Sequence, residues 1–138
     1  GSRERKKMAS RSLNDLHPRL KERALAFLDR CRMEGIDVLI YCTYRSNKEQ
    51  AELYEQGRSR GGKIVTYAKP GRSMHNFTID GRPAAKAFDC VPLINGKPEW
   101  SAKHPAWQKI GKIGTEVGLM WAGNWARFRE YPHFQLID

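Results

Sequence analysis

Asp37-Val38-Leu39-Ile40-Tyr41-Cys42-Thr43-Tyr44, followed at once by Arg45-Ser46-Asn47-Lys48-Glu49, decides the fold. The first stretch is dense in β-branched and aromatic residues, which predicts a strand. Ser46 and Glu49 have the spacing of a capping box, which predicts a helix start. That helix should run to about Gln56, where Gly57 stops it. Upstream, apolar residues fall at Leu13, Leu16, Leu20, Ala24, Phe27 and Cys31. Steps of three and four mark one face of an amphipathic helix, with Pro18 in its first turn and Gly35 at its end. Downstream, Ala87 to Leu93 reads as a second strand, Pro105 to Val117 as a helix weakened by Gly111 and Gly114, and Leu119 to Trp121 and His133 to Ile137 as further short strands. Two or three helices with several short strands predict an α+β domain, a small antiparallel sheet flanked by helices.

The chain has 138 residues, the size of one domain able to build its own core. Residues 12–138 are expected to form that domain. Residues 1–11 read as a basic tail, with five Lys or Arg against Glu4 alone. A loop at 56–72 holds Arg58, Arg60, Lys63, Lys69 and Arg72 with no acid. These two segments hold nearly all of the net charge of +10, and such a surface suits an anionic partner. A nucleic acid is not expected, because the charge lacks interleaved aromatics or a recognition helix. No apolar run reaches the ~20 residues that span a bilayer, so no stable membrane insertion is expected. The first residues lack the apolar core of a secretory signal. Cys31, Cys42 and Cys90 are an odd, widely spaced set, expected to be buried free thiols of a reducing compartment.

Four histidines are present. His17 and His104 each adjoin a proline at a predicted helix start and are expected to cap. His75 and His133 are the metal candidates. Glu130 lies three residues before His133, and the intervening Pro132 breaks a regular strand, so both side chains can face one side. Two histidines and a carboxylate leave a fourth zinc position for water, and a second carboxylate can take that water's proton. Asp89 sits within the apolar run Phe88 to Val91, where an ionised acid needs a partner or a metal.

Three blocks resemble the zinc peptidases of the D-Ala-D-Ala carboxypeptidase and L-alanyl-D-glutamate endopeptidase group, in its phage endolysin branch. Tyr44-Arg45-Ser46 with Gln50 and Leu53-Tyr54 is similar to Y-R-S-x-x-x-Q-x-x-L-Y. Ser73-Met74-His75 followed by Ala85-Lys86-Ala87-Phe88-Asp89 is similar to S-x-H-x-x-G-x-A-x-D. Gly118 to Trp125, leading into Glu130-Tyr131-Pro132-His133-Phe134, is the third. The middle block departs from the pattern: the step from His75 to Asp89 is twice the family's, Ala85 replaces Gly, and Thr78 to Ala84 read as an insertion expected beside the metal. Asp80 is therefore a rival to Asp89.

The resemblance implies the single-domain fold shared by D,D-peptidases and hedgehog-type signalling domains. It implies one zinc ion on His75, Asp89 and His133, with Glu130 as base and Arg45 facing the substrate carbonyl. It also implies that Ser73 and Gln50 help to hold the substrate or the site, while Trp121 and Trp125 are expected either to wall the cleft and contact substrate or to pack in the core. The activity implied is cleavage of bacterial peptidoglycan between L-Ala and D-Glu, by a monomer made without a signal in the host cytoplasm and acting on the wall after release. The 56–72 loop would draw it to anionic wall or outer-membrane polymers. The alternatives are a D,D-carboxypeptidase or dipeptidase of the same family, or a basic non-catalytic zinc or nucleic-acid-binding module.

Overall fold

Pro18 supplies the fixed φ of a first helical turn, and His17 caps it, Nδ1 accepting from the Arg19 N–H at 3.1 Å. Helix α1 (Pro18–Met33) buries Leu20, Ala24, Phe27 and Cys31, and the chain leaves it through Gly35 at φ +75°. Strand β1 (Asp37–Cys42) follows, and then α2 (Asn47–Glu55), whose capping box is formed by Ser46 and Glu49. The computed structural model describes residues 9–137. Most of the expected basic tail lies outside that range. Its inner end is tied down, since Ser10 exchanges backbone hydrogen bonds with Thr43 and Tyr44 at 2.7 and 2.9 Å.

The segment after α2 folds back to a short 3-10 turn at Met74–Asn76. The stretch read as an insertion makes a small hairpin, β2 (Thr78–Ile79) and β3 (Arg82–Pro83). The central strand is β4 (Ala87–Ile94), flanked by β5 (Lys97–Pro98), then α3 (Ala106–Glu116), β6 (Leu119–Trp121) and β7 (His133–Leu136). Strands β1, β4, β7 and β6 lie in that order, all antiparallel, with β5 also paired to β4. β2, β3 and β5 were not foreseen; two residues each carry too little pattern to read.

Gly111 and Gly114 cost α3 intrinsic stability, and the packing explains them. A Cβ on Gly111 would lie 2.4 Å from the Trp121 ring, and one on Gly114 would lie 2.4 Å from Phe134. The glycines let the helix ride directly on the sheet. Phe27, Phe88 and Phe134 form the centre of the core, with centroids 4.9 to 5.7 Å apart. Along β4, Phe88 and Cys90 face this core while Asp89 points the other way. The site grows on that second face.

Candidate active site

Asp89 pairs with His133 across β4 and β7, and with Cys42 across β1 and β4. The ladder therefore sets the acid and one histidine side by side. The His133 Nδ1 is 3.1 Å from the Asp89 Oδ1. His75 arrives from the 3-10 turn, its Nε2 3.3 Å from the same oxygen. Ser73 caps that turn, Oγ accepting from the His75 N–H at 3.1 Å. Asn76 ties the turn to its surroundings, donating to the Arg45 carbonyl at 2.7 Å and accepting from the Gly71 and Ser73 N–H groups.

The outer nitrogens of both rings are spoken for. His75 Nδ1 lies 2.8 Å from the Thr43 carbonyl oxygen, which only accepts, so Nδ1 carries hydrogen. His133 Nε2 lies 2.7 Å from Gln135 Oε1, and the same reasoning puts hydrogen there. Each histidine thus turns its remaining nitrogen toward Asp89. Fixing the tautomer through a second partner is how metal-binding imidazoles are oriented. Two oriented nitrogens and a carboxylate oxygen suit zinc with an open position.

Cys42 also stands close. Its sulfur and donor atoms of His75 and Asp89 lie within 4.8 Å of one another, although no thiolate was expected at the site. The sulfur is 3.6 Å from His75 Nδ1, the nitrogen already committed to Thr43. It therefore sits on the Nδ1 side of the ring, away from the nitrogen that faces Asp89.

Burial alone would strip His75 of its proton, but the Asp89 carboxylate outweighs it and pushes the metal-free imidazole up to about 10. Burial would likewise raise Asp89, and the two histidines outweigh it and hold the acid well below the usual carboxylate range. In the absence of a metal, a proton balances the buried acid.

Arg45 follows β1 directly. Its Nη1 donates to Gln50 Oε1 at 2.9 Å, and its Nη2 is 3.8 Å from Asp89 Oδ2. Gln50 is 0% exposed, and its amide donates to the Ala68 carbonyl at 2.7 Å. Of the two expected roles, holding substrate or holding the site, these bonds fit the second: Gln50 positions Arg45 and ties α2 to the loop. Trp121 takes the core place among its two expected ones. It is 3% exposed, packs on Gly111, and donates from its indole to the Tyr131 carbonyl at 2.8 Å. It holds the segment bearing Glu130 without reaching the cleft. Trp125 does line the cleft, 5.7 Å from the His133 ring.

These groups open into a cleft of about 880 Å³. Ser73, His75, Asp89, His133, Arg45 and Glu130 all line it, and Glu130 is exposed. One wall comes from the basic loop. Tyr67 of that loop meets Phe128 of the Glu130 segment, centroids 4.7 Å apart. The hairpin 78–83 does not line the cleft, contrary to expectation. It turns through Asp80 and Gly81, both at positive φ, and leaves Asp80 exposed at its tip. Of the residues missed in the sequence, Gln135 was findable: it is two residues from His133 on one strand, hence on the same face. Cys42, Thr43 and Asn76 carried no signal. His17 and His104 cap α1 and the start of α3, as expected.

An α+β domain with two histidines and an acid at the floor of an open cleft and a carboxylate on its wall has the groups that a metallopeptidase needs. A family model described as D-alanyl-D-alanine carboxypeptidase matches residues 66–136. The peptidoglycan L-alanyl-D-glutamate endopeptidase CwlK of Bacillus subtilis is 37% identical over 132 residues, covering 90% of this chain and 75% of that protein. An L-alanyl-D-glutamate peptidase of a Listeria phage is 29% identical over 130 residues, covering 91% of this chain but 41% of its own length. The crystal structure of the Serratia marcescens L-Ala D-Glu endopeptidase ChiX superposes with a TM-score of 0.65 at 22% identity, covering 96% of this chain and 91% of that one. The LD-carboxypeptidase LdcB shares the fold with a TM-score of 0.66 at 17% identity, covering 88% of this chain and 59% of that one. The chain belongs to this family of zinc peptidases.

Proposed function

We propose that this chain cuts the peptidoglycan stem peptide between L-Ala and D-Glu, using one zinc ion held by His75, Asp89 and His133. The observation that carries the reading is the pair of oriented imidazole nitrogens converging on Asp89 in the cleft that also holds Glu130 and Arg45. The 37% identity to an L-alanyl-D-glutamate endopeptidase supports the choice of bond. Zinc, when bound, supplies a Lewis acid and lowers the pKa of its water toward neutrality.

The chain's own residues do the rest. Glu130 takes a proton from the attacking water and delivers it to the leaving amine of D-Glu. Arg45, fixed by Gln50 and sited beside Asp89, faces the carbonyl oxygen and stabilises the charge that develops there. Ser73 holds the turn that aims His75. Thr43 and Gln135 keep the imidazole tautomers fixed.

The basic loop adds attraction to acidic wall polymers. Within it Arg58 bonds the Tyr54 and Thr66 carbonyls, and Arg60 pairs with Glu55 at 3.6 Å. Both build the loop, which leaves Lys63 for the wall, while Lys69 and Arg72 line the cleft.

Digestion of purified peptidoglycan tests the reading. A new D-Glu amino terminus is expected; release of free D-Ala would replace it with the D,D-carboxypeptidase alternative. Glu130→Ala should keep zinc by elemental analysis and lose activity by at least about a hundredfold. Activity at the wild-type level would remove Glu130 as the base.

A further inference from the structure

A second cavity of about 450 Å³ adjoins the cleft, and the two share Tyr41, Asp89, Arg129 and Glu130 in their walls. Its volume falls in the range of small-molecule sites, roughly 300–1,000 Å³. The two arms therefore meet at the reacting groups, and their chemistry differs. The larger arm adds Lys69 and Arg72, neither with an ion-pair partner among the described residues, to aromatic walls of its own at Tyr67, Trp125 and Phe128. The smaller arm is aromatic, walled by Trp100, Trp107 and Tyr131. Trp100 is 58% exposed and held edge-on by Tyr41, centroids 5.5 Å apart.

Tyr41 is where the arms divide. In β1, Ile40 pairs with Cys90 and Cys42 with Asp89, so Tyr41 is the extra residue of a bulge. A bulge beside a site re-aims a side chain, and here it brings a ring to both cavities.

The bond assigned above joins two unlike halves. Downstream lies an acidic peptide that begins with the free carboxylate of D-Glu. Upstream lies a single alanine on the lactyl ether of a muramic sugar, a neutral group whose ring offers apolar C–H faces. The cations of the larger arm suit the first half. An exposed indole, with its electron-rich face, suits the second.

Resting on the L-Ala–D-Glu reading, we infer that the Trp100 arm is a glycan subsite that holds the muramyl sugar, so that the substrate runs from Trp100 across Asp89 and Glu130 to Lys69. The chain is then a peptidase of glycan-linked stems in preference to free peptides.

The test uses the zinc-loaded full chain and two substrates with the same stem: a disaccharide-tripeptide and the free tripeptide. Wild type should show the lower KM for the disaccharide form. Trp100→Ala should raise KM for that form about tenfold more than for the free tripeptide, with kcat held. Trp100→Phe should restore most of the difference. Lys69→Ala should raise KM for both substrates alike, since both carry the stem. Equal effects of Trp100→Ala on the two substrates, or none on either, would overturn the subsite. If neither substrate is cut between L-Ala and D-Glu, the activity reading falls by itself. Calorimetry with the disaccharide-tripeptide then decides the subsite: weaker binding to Trp100→Ala supports it and unchanged binding overturns it.

Discussion

Gln50→Leu removes an amide that touches neither metal ligand nor cleft, yet it should cripple turnover. The side chain is fully buried and makes three hydrogen bonds, to Arg45 Nη1, the Ala68 carbonyl and Thr66 Oγ1. The bond to Arg45 is charge-assisted, contributing about 1.5–3 kcal/mol, and the bond to Ala68 about 1 kcal/mol. Leucine is similar in size and returns part of this through apolar burial, so the net loss should be about 2 kcal/mol. The larger effect is on Arg45. Deleting a preorganised donor to a developing oxyanion costs about 10²–10³ in kcat; loosening it should cost about 10–100-fold. KM should change little, and zinc content should not change, because no ligand is touched. Steady-state kinetics, urea unfolding and elemental analysis read these separately. A double variant with Arg45→Ala should be no slower than Arg45→Ala alone, since both act through one guanidinium. Gln50→Leu that loses stability but keeps kcat would refute the positioning role, as would multiplicative losses in the double variant.

Chelated protein should be most stable on the acid side of neutrality. His75 gains a proton in the fold, so its contribution is complete below 6.5 and is lost as pH rises through about 10. Asp89, held low, contributes above 3.8 and is lost as pH falls below that value. Added zinc should flatten the alkaline decline and release protons on binding near pH 7; a decline unaffected by zinc would break the link. Gly114→Ala puts a Cβ 2.4 Å from Phe134; overpacking of about 1–3 kcal/mol should outweigh the helix gain and lower Tm by roughly 5 °C, checked by calorimetry. Replacing Lys63 by Ala should weaken wall binding more at low salt than at high salt. Arg58→Ala should instead disturb the loop at every salt concentration, measured as proteolysis between α2 and His75.

What was legible followed from periodicity and end signals. The buried stripe of α1, the capping box of α2 and the apolar runs of β1 and β4 declare themselves, because burial and capping act on neighbours in the chain. The roles of Gln50 and Trp121 were not legible, because a motif match says which residue stands near a site and nothing about which way it faces. Gln50 lies on a short helix whose inner face meets the Arg45 side chain and a loop carbonyl. Trp121 alternates with Met120 on a three-residue strand, and α3's glycines decide which of the two goes inside. The bulge at Tyr41 is equally silent in sequence, since a strand with one extra residue reads as a strand.

Asp89 shows why separation along the chain is a poor measure of a ligand set. The fourteen residues from His75 made it the weakest member beside Asp80. The added chain, however, is a hairpin that closes on itself. Asp80 and Gly81 take the two left-handed conformations of a tight turn, Thr78 pairs with Pro83, and the Ala84 N–H donates to the Phe77 carbonyl at 3.0 Å. The hairpin's ends are therefore hydrogen-bonded neighbours, and its length hardly moves the residues on either side. Lys86 N–H donates to the Met74 carbonyl at 2.9 Å, which brings β4 back beside the His75 turn as though the hairpin were absent. The β4–β7 ladder then sets Asp89 opposite His133. The register of the sheet, fixed by which residues of β4 must enter the core, sets Asp89 beside His75 and His133 and leaves Asp80 exposed at the hairpin tip.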